Sequence, residues 1–238
     1  MRADLVVAQE FNISRNKAAE LIKNAQVVQD GVVVKSPSCN LVSNSNLSLL
    51  GEVFVSRAAL KLQDFLAHSE LRVGGKRALD VGASKGGFTQ ILLQNGVKSV
   101  VAVDVGTMQF DEKLRLDERL EVREQCDIRE FESAPFELVV ADVSFISLNL
   151  ILPHLVRLCC GELVVLFKPQ FEVGKEAKRD KLGVVKDQRA VVRVMDLFEV
   201  NALKSNLILR QKRQCGVAGK NGNVEWFYWF SRVGEEDE

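Results

Sequence analysis

An apolar run that ends in a carboxylate and opens into glycines, Leu79-Asp80-Val81-Gly82-Ala83-Ser84-Lys85-Gly86-Gly87-Phe88, is the most restrictive stretch of this chain. Val81 closes a strand, the glycines permit a tight reversal, and Phe88 begins an apolar helical face. The loop therefore sits at the carboxyl edge of a strand that feeds a helix. Its strand, Arg77–Val81, is followed by buried-strand runs at Ser99–Asp104, Leu120–Arg123, Glu137–Asp142 and Glu162–Lys168, with helical text between several of them. Strands alternating with helices predict an α/β fold with a doubly wound, mostly parallel sheet. The aromatic stretch Asn223 to Phe230 predicts a final strand, and 234–238 a frayed acidic tail.

The glycine spacing is G-x-x-x-G-G, not the G-x-G-x-x-G that seats a pyrophosphate on a helix N-terminus, so it suits a cofactor without phosphates. Asp104 ends the next strand, 22 residues past Gly82, where a carboxylate accepts hydrogen bonds from two ribose hydroxyls. Asp127, after the third strand, is placed to meet the exocyclic amine of adenine, which is a donor. Taken singly, each glycine is a turn residue and each aspartate a helix cap. The ordered set predicts an S-adenosylmethionine site built from Asp80, Gly82, Ala83, Ser84, Gly86, Gly87, Phe88, Asp104, Val105, Asp127 and Ile128.

Composition narrows the rest. The 238 residues favour one large domain with room for a small module, and 32 basic against 32 acidic residues leave no global field, so any basic surface is local. Cys39, Cys126, Cys159, Cys160 and Cys215 are odd in number and free of CxxC spacing, which reads as reduced thiols in a cytoplasmic protein. His68 and His154 stand apart, so no metal is expected. Met1 is not followed by an apolar signal core, and the greasiest stretch, Ile151 to Phe167, is broken by His154, Arg157 and Glu162, so no membrane span is expected.

A site that methylates an amine needs little beyond a carbonyl and an aromatic wall, whereas an alkyl hydroxyl needs help with its proton. That need directs attention to lysines and carboxylates near the loop. Asp142 ends the fourth strand and Lys168 the fifth, immediately before Pro169, so both point over the carboxyl edge. Lys61 lies on the helix opened by Ser56, just ahead of the first strand, and Glu225 in the aromatic terminal strand. Charged groups at apolar strand ends need partners, and these four can pair with one another. The plainer alternative is a set of ordinary ion pairs.

The order Lys61, Asp142, Lys168, Glu225 resembles the K-D-K-E tetrad of the FtsJ-like ribose 2′-O-methyltransferases. Ser56-Arg57-Ala58-Ala59-Leu60-Lys61-Leu62, Ala141-Asp142-Val143-Ser144-Phe145-Ile146-Ser147, Lys168-Pro169-Gln170-Phe171-Glu172-Val173-Gly174 and Gly222-Asn223-Val224-Glu225 are similar to the blocks of the TlyA, or haemolysin A, family. The likeness spans Met1 to Val233. It implies a Rossmann-like methyltransferase with a mostly parallel seven-stranded sheet, preceded by a small α+β RNA-binding domain. It also implies 2′-O-methylation of cytidine in ribosomal RNA at the subunit interface, in large-subunit RNA and, for some longer relatives, small-subunit RNA. Loss of those methyl groups is associated in the family with resistance to tuberactinomycin-type antibiotics. This chain is short at both ends beside such relatives, so the large-subunit target is expected. By the same resemblance Lys168 accepts or orients the 2′-hydroxyl proton, Asp142 holds Lys168 and the substrate, and Lys61 and Glu225 complete the array. A nearby Lys61 would make Lys168 easier to deprotonate by like-charge repulsion.

Residues 1–50 read as the separate module. Ser14 caps a helix whose apolar face is Ala18, Ala19, Leu21 and Ile22; Val27 to Val34 is a hairpin around Asp30-Gly31; the polar turn 43–46 leads to a last strand at Leu47–Leu50. Arg2-Ala3-Asp4-Leu5, the Ser14 helix, Asp30-Gly31 and Val34-Lys35 resemble the small RNA-binding domain first seen in a ribosomal small-subunit protein, although Asn24-Ala25 stands where that pattern has a glycine. Arg2, Arg15, Lys17 and Lys23 are expected to meet phosphates without reading bases. Five basic and four acidic residues in this module predict weak intrinsic RNA affinity, with specificity shared with the second domain. Residues 51–55 are the expected linker and 56–233 the methyltransferase domain. After Lys168, the net-basic run Lys175, Lys178, Arg179, Lys181 and Lys186 is open to two readings, an RNA contact or a plain surface loop. The expected partner is ribosomal RNA or a ribosomal subunit, not a membrane, with the chain a monomer or weak dimer. Two rivals remain: a membrane-lytic protein, which requires an amphipathic or spanning segment, and a non-catalytic RNA-binding assembly factor, which would not require the four charged residues.

Overall fold

The structure, a computed structural model, describes residues 1–23, 25–41, 46–51, 53–219 and 222–232. Asn24, positions 43–45 of the expected polar turn, Glu52 of the expected linker, Val233 and the acidic tail 234–238 lie outside the described residues. The chain divides into two compact units, Met1–Val53 and Phe54–Glu238.

In the first unit, helices α1 (Ala3–Glu10) and α2 (Arg15–Lys23) pack on an antiparallel sheet of β1 (Val27–Gln29), β2 (Val32–Val33) and β3 (Leu47–Leu49), ordered β2-β1-β3. Ser14 Oγ accepts from the Lys17 amide at 3.2 Å, the side-chain cap that starts α2. Ala18, Leu21 and Ile22 then meet Ala3, Val7 and Val27 in a small core. Asp30 and Gly31 both adopt positive φ, 50° and 82°, the backbone that a two-residue hairpin turn requires. The Asp30 amide and carboxylate both bind Asn46, which ties β3 to β1.

The second unit is a seven-stranded sheet. Its strands are β4 (Arg77–Val81), β5 (Ser99–Val103), β6 (Leu120–Arg123), β7 (Phe136–Ala141), β8 (Cys159–Phe167), β9 (Leu207–Gln214) and β10 (Trp226–Arg232), in the order β6-β5-β4-β7-β8-β10-β9. The first five are parallel; β10 runs antiparallel between β8 and β9. Side-chain alternation divides the apolar residues between two faces. Leu79, Val81, Val139, Val165, Phe167 and Tyr228 face α5 (Leu148–Arg157) and α7 (Gln188–Lys204), with the single turn α6 (Pro169–Glu172) between these two in the chain; Ala78, Leu138, Val140, Val164, Leu166 and Phe227 face α3 (Arg57–Ala67) and α4 (Gly87–Gln94).

Several strand ends differ from the sequence expectation, Asp104 lying one residue beyond β5. Asp142 and Lys168 lie one residue beyond β7 and β8, and β10 begins at Trp226, so Glu225 precedes that strand. Upstream, Gly222 takes φ +93° and the Asn223 side chain accepts from the Val185 amide at 3.0 Å, so this segment is bound to a loop instead of a neighbouring strand. β9 has no counterpart among the strands read from sequence. Arg210, Lys212 and Arg213 break its apolar pattern, and as an edge strand it has no need of two apolar faces.

Phe198 of α7 has no exposed surface and meets Phe167 and Tyr228 at ring-centroid distances of 5.4 Å, and Phe230 at 6.0 Å. Phe198→Ala is expected to cost about 3–5 kcal/mol in denaturant unfolding of the second unit, the range for truncating a buried aromatic.

Candidate active site

A cavity of about 610 Å³ opens at the carboxyl edge of β4, β5 and β7. Gly82, Ser84, Asp104, Val105, Asp127 and Ile128 line it, joined by Gln109, Cys126, Arg129, Asp142, Ser144 and Phe145. The glycines are shaped for close approach. Gly82 has φ +80°, and a Cβ there would lie 2.9 Å from the Asp142 carbonyl oxygen; one at Gly106 would strike Gln109 and Asp104. Asp104 is fixed by two amides, Gly106 donating to Oδ1 at 2.6 Å and Ser84 to Oδ2 at 2.8 Å. Each oxygen keeps a second lone pair, and Asp104 lines the cavity, as binding a pair of hydroxyls requires. Asp127 is gripped by the Arg129 guanidinium, whose hydrogen bonds hold its carboxyl down at about 2, so it is an anionic acceptor at any physiological pH. Arg129 was not singled out from sequence; its signal was the Asp127-x-Arg129 spacing.

Asp80, Ala83, Gly86, Gly87 and Phe88 lie off the cavity lining. Parity along β4 places Asp80 on the α3/α4 face beside Ala78, where it is fully buried. Thr89 Oγ1 of α4 donates to its Oδ2 at 2.6 Å, while Oδ1 has no hydrogen-bond partner. Burial pushes this carboxyl up to about 7; the Thr89 bond opposes the shift and the Asp142 charge adds to it. Ala83 packs with Ala102 and Phe110, and Gly87 against Ala58 and Ala59 at the start of α3.

Lys61, Asp142, Lys168 and Glu225 meet at one sheet edge. Gly82 follows Val81, which pairs with Ala141, so the loop and Asp142 are side by side. Trp226 pairs with Phe167 in the antiparallel ladder, so one residue further on Glu225 opposes Lys168. Lys168 Nζ stands 2.6 Å from Asp142 Oδ1 and donates to Ser144 Oγ at 3.0 Å. Lys61 Nζ donates to Glu225 Oε2 at 2.6 Å, and Gln170 Nε2 donates to Glu225 Oε1 at 3.0 Å. All four charged side chains are largely buried. Each ammonium is thus paired with a carboxylate of its own, Lys61 with Glu225 and Lys168 with Asp142.

Beside Lys168 stands a feature with no sequence signal. Phe145 adopts φ +66°, is 92% exposed, and its ring lies 5.0 Å from that of Phe171. Left-handed backbone is costly for a bulky residue and concentrates at functional sites. Phe145 lines the cavity, and Phe171 supports its ring from the side.

The basic run after Lys168 is knit from within. Arg179 donates to the carbonyls of Gln170, Gly174, Lys175 and Ala177, while Asp180 accepts from the Leu182 and Val184 amides and pairs with Lys186. Arg179 is thereby committed to holding this segment together. In the first unit, Arg2 and Arg15 share the Asp4 carboxylate, Lys17 pairs with Glu20 at 3.1 Å, and Lys23 is exposed. Among the described residues no group of His, Cys, Asp and Glu is arranged to hold a metal ion.

Residues 54–232 match the FtsJ-like methyltransferase family. The chain is similar to the 23S rRNA (cytidine-2′-O)-methyltransferase TlyA of Campylobacter jejuni, at 42% identity over 97% of this chain and 99% of that one. It is similar to the 16S/23S rRNA (cytidine-2′-O)-methyltransferase TlyA of Mycobacterium tuberculosis at 38% identity, over 91% and 84%. Among solved structures, a Streptococcus thermophilus protein carrying the provisional label hemolysin superposes with a TM-score of 0.73 at 34% identity, covering 98% of this chain and 88% of that one.

The buried Asp80 carboxyl gives a pH signature. Its native pKa lies above the ordinary carboxylate value, so the folded state holds a proton that the unfolded chain releases. That stabilisation is complete below about pH 4 and is lost as pH rises through about 7. Asp80→Asn, measured by urea unfolding against the native chain, is expected to gain relative stability steadily across this window. A difference that stays constant with pH would show that the buried carboxyl does not titrate there.

Proposed function

The chain belongs to the FtsJ-like methyltransferases, in the group represented by TlyA, and on that premise we propose that it methylates the ribose 2′-hydroxyl of a cytidine in ribosomal RNA. The proposed target is large-subunit RNA, with small-subunit RNA as the alternative. The methyl donor is S-adenosylmethionine, and the substrate is ribosomal RNA or a ribosomal subunit, met in the cytoplasm by a monomer or weak dimer. One observation carries this reading: a lysine–carboxylate pair, Lys168 with Asp142, sits at the same sheet edge as a glycine loop and a nucleoside-sized cavity.

The residues fit that donor. Asp104, with a free lone pair on each oxygen, suits two ribose hydroxyls, and Asp127 with Ile128 suits the adenine. The close approach at Gly82 leaves room for the amino-acid end against backbone. When bound, S-adenosylmethionine supplies an electrophilic methyl group on a sulfonium; the chain's own task is to aim an oxygen at it.

Lys168 orients the 2′-oxygen through a hydrogen bond. The Lys168–Asp142 pair would take the hydroxyl proton as the O–C bond forms and the methyl–sulfur bond breaks to leave a neutral thioether; the proton would rest at the Asp142 carboxylate or, once Lys168 has passed one proton on to it, at the Lys168 nitrogen. Ser144 fixes the Lys168 rotamer. Lys61, held by Glu225, balances the carboxylate that faces Lys168 across the sheet edge, and Gln170 fixes Glu225 in turn. Phe145 and Phe171 offer a stacking surface for the base of a nucleotide drawn out of the RNA. Arg2, Arg15, Lys17 and Lys23 supply phosphate contacts from the first unit. The rival membrane-lytic reading finds no support in the helices, none of which, among the described residues, is long and apolar enough to cross a membrane.

Incubation with labelled S-adenosylmethionine and separate ribosomal subunits, followed by mapping of ribose methylation, tests this reading. Lys168→Ala is expected to lose at least about 10²-fold in transfer while still binding the cofactor. Methylation on a base, or full activity of Lys168→Ala, would overturn it. Phe145→Ala is expected to raise KM for RNA more than it lowers kcat, read from initial rates over a range of subunit concentrations.

A further inference from the structure

Within the first unit, one acidic residue is placed where charge counting alone would put none. Asp4 is buried on α1, yet its carboxylate is the meeting point of two arginines. Arg2 Nε donates to Oδ1 at 3.1 Å and Arg2 Nη2 to Oδ2 at 3.0 Å; Arg15 Nε, from the first turn of α2, donates to the same Oδ2 at 2.9 Å. Two guanidiniums sharing one oxygen cannot stand apart, and without the carboxylate between them they would repel. Both remain about half exposed, at 48% and 52% of their side-chain surface. Among the described residues, Arg2 Nη1 and both Nη groups of Arg15 have no acceptor.

The backbone is fixed as firmly as the side chains. Arg2 bridges Asn40 in antiparallel fashion, the Ala3 amide donates to the Cys39 carbonyl at 2.8 Å, and the Asp4 amide donates to the Pro37 carbonyl at 3.0 Å. The chain ahead of α1 is thus clamped, and neither arginine carries the full entropy of a free surface side chain. Fork-shaped donors held in place are suited to phosphate oxygens, which accept two parallel N–H bonds.

We propose that Asp4 is a positioning residue for RNA binding: it assembles Arg2 and Arg15 into a single phosphate-binding pair, so a negative charge in this unit strengthens its hold on an RNA backbone. The inference rests on the reading of the first unit as an RNA-binding module. It reverses the sign that simple electrostatics gives. Removing an acid from an RNA-binding surface ordinarily tightens binding; removing this one loosens it.

The test is equilibrium binding of the full chain to labelled large-subunit RNA at several salt concentrations. Asp4→Asn, despite its gain of one positive charge, is expected to bind about fivefold to tenfold more weakly, with a salt dependence shallower by about one phosphate contact. Glu10→Gln, at the exposed far end of α1, makes the same charge change without touching the arginines and is expected to bind at least as tightly as the native chain. In an Arg2→Ala/Arg15→Ala background, adding Asp4→Asn is expected to cost nothing more, because the acid acts through those two residues. Asp4→Asn binding as tightly as the native chain, or more tightly, overturns the inference alone. A native chain that does not bind the RNA overturns the reading of the module as well. Should Asp4→Asn unfold the first unit, seen as loss of its protected amides, the Arg2→Ala/Arg15→Ala variant decides: native affinity there overturns the proposal, and a loss of the stated size supports it.

Discussion

Four charged side chains are buried at one sheet edge, and the structure tolerates them because they form two ion pairs. Lys61 with Glu225 and Lys168 with Asp142 each close at 2.6 Å. Stripping one partner from such a pair leaves an uncompensated buried charge, typically at about 3–5 kcal/mol. The sheet topology satisfies this constraint. Because β10 enters antiparallel beside β8, the residue before its first position faces the residue after the last position of β8, and Glu225 arrives opposite Lys168. A parallel strand there would deliver its other end, and the second carboxylate would be missing.

The parallel half of the sheet was legible because buried parallel strands are short apolar runs separated by helices, and Arg77–Val81 and Leu120–Arg123 appear as the sequence reading drew them. Helix α2 and the Asp30-Gly31 hairpin were equally plain, one through its serine cap and the other through a dipeptide suited to positive φ. What stayed hidden follows from the same physics. β9 is an edge strand with three basic residues, so it lacks the apolar signal. Asp80 reads as a cofactor residue of the loop; its burial and its bond to Thr89 depend on where α4 packs, which the local sequence does not reveal. Phe145 lay inside a block noted for Asp142; its exposure and left-handed backbone are properties of the fold alone.

The internal bonding of the segment after Lys168 bears on how the edge is kept in order. A net-basic run invites an electrostatic reading, yet Arg179 spends its donors on four backbone carbonyls, and one of them belongs to Gln170, whose amide fixes Glu225. Asn223 anchors the far end of the same segment through the Val185 amide. The loop therefore acts as a brace for the charged edge, and its remaining lysines are the part available to solvent.

The antiparallel entry of β10 also has a consequence in time. A ribosome delivers Lys61 long before Glu225, 164 positions later, and every other strand of the sheet before β10. Until that strand emerges, β8 presents an unpaired edge and β9 has no neighbour in the sheet, while two buried lysines wait without one of their carboxylates. Non-local pairing of this kind is slow, and an open apolar edge invites association with other chains. The half-made protein is thus the vulnerable form, and nascent chains stalled short of β10 are the species most in need of a chaperone.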